Sequence, residues 1–345
     1  MSARPFSPAG LSLPQQPQNQ AVANWLFLCT VVVFLMVLLG GVTRLTHSGL
    51  SMVDWRPIMG VIPPITEAQW QETFDAYKQY PEYQKVNRGM DLDGFKGIFW
   101  LEYLHRLLGR GIGLLFALPF VYFLWRGAVQ GVVRWKLAGM FVLGGLQGLM
   151  GWYMVKSGLI DDPKVSPARL TAHLGLAIAI FVGLFWMALD HRYGASVRPR
   201  DRGVYIAAAL VVVTMLSGGF VAGTRAGLLF GTWPLMGETF FPAGLFAQGL
   251  SSVFIDPVTI QFDHRMLAYL TTIVVVSVAL NRLRQGGSPV AWLVLGLVVL
   301  QVVLGILTII YRVPITLAAT HQGVALLLLA ALVFLAHRSA LRPQS

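Results

Sequence analysis

One cysteine, Cys29, stands among 345 residues. It falls inside an apolar run, so the chain can form no intramolecular disulfide and no multi-thiolate metal centre. The thiol reads as a small buried side chain. Charge is almost as scarce: 12% of residues, about half the share of a soluble domain, with only 15 acids. Those shortages exclude an ordinary water-soluble fold. The first 20 residues carry one arginine, no acid and no apolar core. That excludes a cleavable secretory signal and suits a disordered cytoplasmic tail over 1–21.

What is abundant is apolar: 56% of residues are hydrophobic. They fall in runs near the ~20 residues that cross a bilayer, at 22–42, 99–125, 137–155, 169–189, 204–222, 263–281, 289–310 and 315–336. The expected fold class is an all-α integral membrane protein with eight transmembrane helices. A net charge of +11 would suit nucleic acid, but its distribution excludes that partner. One set of short connections holds Arg4, Arg126, Arg134, Lys136, Arg192, Arg198, Arg200, Arg202, Arg282, Arg284, Arg338 and Arg342 against two acids, Asp190 and Asp201. The opposite connections hold 14 bases against 13 acids. This positive-inside asymmetry places both termini in the cytoplasm, or the equivalent matrix, and the long connections 43–97 and 223–262 outside.

The chain repeats itself. Gly40-Gly41, Ser48-Gly49-Leu50 and Trp55 return as Gly218-Gly219, Ala226-Gly227-Leu228 and Trp233, at a constant offset of 178. Leu146-Gln147 with Gly151 returns as Leu300-Gln301 with Gly305. The expectation is an internal duplication into two tandem four-helix bundles. They run parallel, because four crossings return the chain to its starting side. The bundles span 22–190, with the long outer connection 43–97, and 204–338. A basic cytoplasmic linker covers 191–203 and a short tail 339–345.

Four histidines occupy matched places. Glu102-Tyr-Leu-His105-Arg106 answers Gln261-Phe-Asp-His264-Arg265, and Ala172-His173-Leu-Gly175 answers Thr320-His321-Gln-Gly323. A lone intramembrane histidine often only bonds a neighbouring helix, but four at repeated positions point to function. All four begin helices that run inward from the outer side, so each half presents two imidazoles near its outer surface. Two facing imidazoles without thiolates or clustered carboxylates suit axial ligation of haem iron; zinc, the runner-up, wants three or four ligands. The small residues Gly109, Gly111, Gly113, Gly175 and Gly323 suit a flat macrocycle, letting ring or backbone approach closely. Arg106 and Arg265 suit haem propionates, or else snorkel to headgroups. His191 and His337, beside Arg192 and Arg338 at cytoplasmic helix ends, read as interfacial, and His47 as structural.

The halves differ three residues before the first histidine of each pair. Glu102 should share a helix face with His105, where Gln261 precedes His264. A carboxylate there can act as acid or base or stabilise a cation, unless it serves only as an i+4 ion partner of Arg106. An amide cannot. The first half is therefore expected to do chemistry and the second to hold a cofactor.

With these residues together, the chain resembles the haem A synthase family over about 22–338. The motifs are Gly-Gly-Val-Thr-Arg-Leu-Thr-His-Ser-Gly-Leu-Ser at 40–51, Glu102-Tyr-Leu-His105-Arg106-Leu-Leu-Gly109-Arg110, Ala172-His173-Leu-Gly175, Asp263-His264-Arg265 and Thr320-His321-Gln-Gly323. The resemblance implies an oxidoreductase that converts the C8 methyl of haem O to a formyl group, by successive water-derived hydroxylations and loss of water. It implies haem b on His264 and His321, substrate haem iron at His105 and His173, and Glu102 as the catalytic carboxylate. It also implies a bacterial inner membrane, with haem O synthase and cytochrome oxidase assembly factors as partners and homo-oligomer formation left open. Many bacterial members carry an outer cysteine pair that this chain lacks. Its long 43–97 connection is similar to the alphaproteobacterial and mitochondrial branch. The competing classes are a non-catalytic dihaem electron-transfer subunit, which would leave Glu102 a spectator, and a transporter, which would place polar residues at the midplane.

Overall fold

Helix ends follow capping side chains more closely than apolar windows. The computed structural model describes residues 19–53, 62–159, 163–194, 201–286 and 288–339. The tails 1–18 and 340–345, Trp55 and linker positions 195–200 lie outside the described residues. Helix α1 (Gln20–Leu45) starts where the Asn19 side chain accepts from the backbone N–H groups of Ala21 and Val22. Asp91 caps α4 (Leu92–Trp125) through Gly94, so that helix begins seven residues before the expected 99. Asp256 and Pro257 likewise start α9 (Pro257–Arg284) ahead of its expected 263. A side-chain acceptor for orphan N–H groups extends a helix past the apolar segment, which is why windows alone placed these starts late.

The other membrane-length helices are α5 (Gly131–Lys156), α6 (Pro167–Tyr193), α7 (Arg202–Thr224), α10 (Pro289–Ile310) and α11 (Ile315–Ser339). Among the described residues eight helices are long and apolar enough to cross a bilayer, and no strand forms. Each half closes a ring of four: α1, α4, α5 and α6 in the first, α7, α9, α10 and α11 in the second. The rings join through α1 against α11 and α6 against α7. Those four helices form the core of the molecule, and α5 is the least buried of the eight, with Val133 and Leu137 its buried residues.

The join is built from matched contacts. Gly175 on α6 faces Leu216 on α7, as Gly323 on α11 faces Leu38 on α1; the leucines are 178 apart, the glycines 148. These two glycines therefore serve close helix approach between the halves, one of the two uses expected of them. At the long-connection face, Arg44 Nη2 donates to the Ala222 carbonyl at 3.0 Å and Arg225 Nη2 meets His47 Nδ1 at 3.3 Å. Both pairs are again 178 apart, and His47 and Arg225 both adopt left-handed φ as their helices end. At the opposite face His337 is fully buried, bonded to Asp190 Oδ1 at 3.0 Å and flanked by the edge of Trp186. His191 is buried too. The interfacial reading of these two histidines gives way to a buried one, because Asp190 supplies the polar partner that burial of His337 requires.

A 34-residue helix is about 51 Å long, well beyond a ~30 Å hydrocarbon layer, so the start of α4 projects past the membrane. Helix α2 (Glu67–Lys78) packs on that projection, and α3 (Pro81–Lys85) packs on α2. Trp70, Phe74 and Tyr77 interlock there with Phe95, Phe99 and Tyr103. A short helix, α8 (Ser252–Ile255), precedes α9.

Candidate functional site

Each histidine faces a glycine. A Cβ placed on Gly40 would stand 3.3 Å from His105 Nε2, and one on Gly218 3.3 Å from His264 Cε1. One on Gly151 would stand 3.1 Å from His173 Cε1, and one on Gly305 2.9 Å from His321 Cε1. Gly40 and Gly218 are repeat partners, as are Gly151 and Gly305. The imidazoles therefore occupy space that any side chain at these four positions would take. Gly111 and Gly113, expected to serve the macrocycle, face no protein atom within 4 Å.

Each half carries its histidine pair on two helices of one ring, α4 and α6 in the first and α9 and α11 in the second. Repeat-related glutamines stand behind the second members. Gln147 Nε2 lies 3.3 Å from His173 Nε2 and donates to the His173 carbonyl at 3.1 Å; Gln301 Nε2 lies 3.3 Å from His321 Nε2. The Nδ1 atoms of His173 and His321, and the Oε1 atoms of both glutamines, are buried without a partner. Orphaned buried polar atoms are uncommon, and four at matched positions fit a bound group that completes them. Among the described residues no three His, Cys, Asp or Glu side chains gather into a metal cluster. The donor set in each half is an imidazole pair, as haem iron takes.

Ser217 adds a feature to the second half alone. Its hydroxyl donates to the Thr214 carbonyl and lies 2.6 Å from His264 Nδ1. The hydroxyl hydrogen being spent on Thr214, the oxygen accepts from Nδ1–H, which leaves Nε2 with a free lone pair suited to a metal. The repeat partner of Ser217 is Leu39, so His105 has no such brace.

The first half is elaborated at the carboxylate instead. Glu102 is 2% exposed. Its Oε2 accepts from Ser51 Oγ at 2.7 Å and the Met52 N–H at 2.8 Å, and its Oε1 from Arg106 Nη2 at 2.5 Å. Arg106 also donates to the Met52 carbonyl at 2.9 Å. In the second half Gln261 accepts from the Phe230 N–H at 3.3 Å and donates to its carbonyl at 3.1 Å, while Arg265 donates to Phe230 and Leu235 carbonyls. Met52 and Phe230 are repeat partners. Both halves thus clamp the same loop peptide onto the helix that carries the first histidine. The ion pair expected as the bland role of Glu102 is present, yet it does not account for the charge, because an amide performs the same clamping at 261. Among the described residues, three of about four acceptor positions on the carboxylate are taken.

The seven residues singled out in sequence fall into two groups: Glu102, Arg106, His105 and His173 in the first bundle, Arg265, His264 and His321 in the second. Sequence reading did not single out Ser51, Met52, Ser217 or Phe230. Gln147 and Gly151 were visible in the repeat, but nothing in their chemistry marked them as partners of His173, 26 and 22 residues away.

The COX15-CtaA family model, described as cytochrome oxidase assembly protein, matches residues 23–333. A protein named haem A synthase from Nitrosospira multiformis is 48% identical over 344 residues, covering 94% of this chain and 97% of its own. One of the same name from Paramagnetospirillum magneticum is 50% identical over 334 residues, 92% of this chain and 94% of its own. A third, from Caulobacter vibrioides, is 44% identical over 330 residues, 92% of this chain and 96% of its own. The match takes in all four histidines, both clamps and nearly the full length of the eight long helices, and the chain belongs to the COX15-CtaA family of cytochrome oxidase assembly proteins.

Proposed function

We propose that the chain is a haem A synthase, an enzyme that forms haem A from haem O during cytochrome oxidase assembly. The observation that carries this reading is the charge difference between two sites built on the same clamp. A buried carboxylate stands beside His105 where an amide stands beside His264, and the clamp they share does not need the charge. Near-full-length similarity to proteins named haem A synthase supports the same reading. The dihaem electron-transfer alternative finds no support in those names.

His105 and His173 hold the substrate haem O, and Glu102 faces its reacting edge. The fourth acceptor position of Glu102 stabilises positive charge at the oxidised methyl carbon or takes a proton from attacking water. His264 and His321 hold a b-type haem, which when bound supplies one-electron transfer. Ser217 orients the His264 ring for that task. Arg106 and Arg265 hold the loop peptides over the two sites and stand within reach of propionate chemistry. The reaction class is an oxidation of a methyl to a formyl group with oxygen from water. The protein sits in a bacterial inner membrane with both termini cytoplasmic and both sites toward the outer face, which the basic short connections support. Haem O synthase and other assembly factors are the expected partners. The bundles act as units, the first over 22–190 for substrate and the second over 204–338 for the resident haem.

The experiment is porphyrin extraction from cells that make the full chain together with a haem O source. Appearance of formyl-bearing haem A supports the reading. Bound b haem with no haem A would support the electron-transfer class instead.

A further inference from the structure

The first helix of each half carries two consecutive glycines near its end, Gly40-Gly41 on α1 and Gly218-Gly219 on α7. The first of each pair makes room for a histidine of its own half, His105 or His264. Successive residues on a helix point about 100° apart, so the second glycine must meet a different neighbour. In both halves that neighbour belongs to the opposite half. A Cβ on Gly41 would collide with the Gln322 side-chain oxygen of α11. One on Gly219 would stand 2.8 Å from Thr171 Oγ1 and 3.3 Å from Thr171 Cα, on α6. Gln322 directly follows His321, and Thr171 lies two residues before His173.

Both crossings are held in place. Gln322 Nε2 donates to the Val37 carbonyl of α1 at 2.9 Å, across 285 residues of chain. Beside it a Cβ on Gly323 would stand 2.9 Å from Leu38. On the other side a Cβ on Gly223, one turn after Gly219, would stand 2.7 Å from the Pro167 Cα. The repeat partner of Gln322 is Leu174 and that of Thr171 is Ala319, so each crossing has its own polar side chain.

From this arrangement we infer that Gly41 and Gly219 are positioning residues for the site of the opposite half. Gly41 sets His321 through Gln322, and Gly219 sets His173 through Thr171. The inference rests on the haem A synthase reading for what the two sites hold. Each Gly-Gly pair thereby tends one ligand of each haem, and neither bundle completes its site alone. A methyl group at position 41 must push Gln322 off α1, and α11 carries His321 with it. Gly305 leaves the imidazole no slack on its far side, at 2.9 Å from a Cβ to His321 Cε1. In a closely packed interior such a clash is relieved by shifting side chain or backbone.

The test uses the purified full chain and the variants Gly40→Ala, Gly41→Ala, Gly219→Ala and Gln322→Leu. The last removes the tie to Val37 without adding bulk to α1. Apoprotein is titrated with haem b and, separately, with haem O. The low-spin electron paramagnetic resonance signal of bound b haem reports the relative orientation of its two imidazole planes. Gly41→Ala and Gln322→Leu should each weaken b-haem binding by about tenfold and move that signal, with haem O binding unchanged. Gly40→Ala, one residue away, should weaken haem O binding and leave the b-haem signal in place. Gly219→Ala, although in the second bundle, should do the same. An unmoved b-haem signal in Gln322→Leu overturns the crossing, and so does a Gly41→Ala loss confined to haem O. Crossed losses together with a parent that forms no haem A would keep the crossing and remove the synthase reading.

Discussion

Glu102 accepts the backbone N–H of Met52 at 2.8 Å, as Gln261 accepts that of Phe230 at 3.3 Å, at repeat-equivalent positions. The two halves build one clamp with two chemistries. What the first half adds is a charge and one more donor, Ser51, whose repeat partner is Leu229. What the second adds is Ser217 on His264, whose repeat partner is Leu39. One half fixes a carboxylate, and the other fixes an imidazole.

Glu102→Gln should therefore fold, because Gln261 already shows that an amide closes the clamp. Haem A formation should fall by about 100-fold or more while bound b haem keeps its spectrum and amount. Undiminished haem A in this variant, measured by porphyrin extraction, would sink the assigned role.

Gly305→Ala should disturb the resident haem alone. Its Cβ would stand 2.9 Å from His321 Cε1, so the imidazole must turn or retreat. Gly296→Ala, on the same helix with nothing within 4 Å, is the matched control. The b-haem content of purified protein should drop in the first variant and hold in the second; equal content in both would remove the glycine from the site.

Ser217→Ala should weaken binding of the b haem by about 10- to 100-fold, since His264 Nδ1 loses its acceptor and the ring its orientation. Haem titration of the apoprotein reads this directly. An unchanged titration curve would mean that packing alone orients the ring.

Arg106→Ala removes a donor from both the Met52 carbonyl and Glu102 Oε1, leaving buried acceptors short. A loss of about 1–3 kcal/mol in stability follows, seen as a lower melting temperature in detergent. Arg265→Ala, which releases two loop carbonyls, should lower it too. No shift in Arg106→Ala would show that the aromatic interlock of α2 with α4 holds the first loop without the clamp.

Stability should fall as pH rises toward alkaline values, and Glu82 should account for part of that. Its folded-state value, about 8, lies above the ordinary carboxyl value. Folding therefore favours the proton-bound form, so its contribution is full below the unfolded carboxyl range and is lost as pH rises through about 8. Thermal melts of the parent and Glu82→Gln should agree best in acid and diverge at alkaline pH, where the glutamine variant is the more stable. A constant gap across the range would argue that Glu82 does not titrate there.

Periodicity and composition determined the eight helices and picked out the four histidines, because each signal is local: an apolar run, or a polar residue where lipid penalises one. Glu102 against Gln261 was equally legible, since both precede their histidines by three residues. The tertiary structure decided the partners. Ser51 reaches Glu102 across 51 residues and Asp190 reaches His337 across 147, separations at which neither member marks the other in sequence. It set Gly175 and Gly323 against leucines across the join between halves, and it buried His191 and His337 among neighbouring helices. Side-chain chemistry names the groups capable of acting, and only packing decides which of them share a cavity and which are left without a partner.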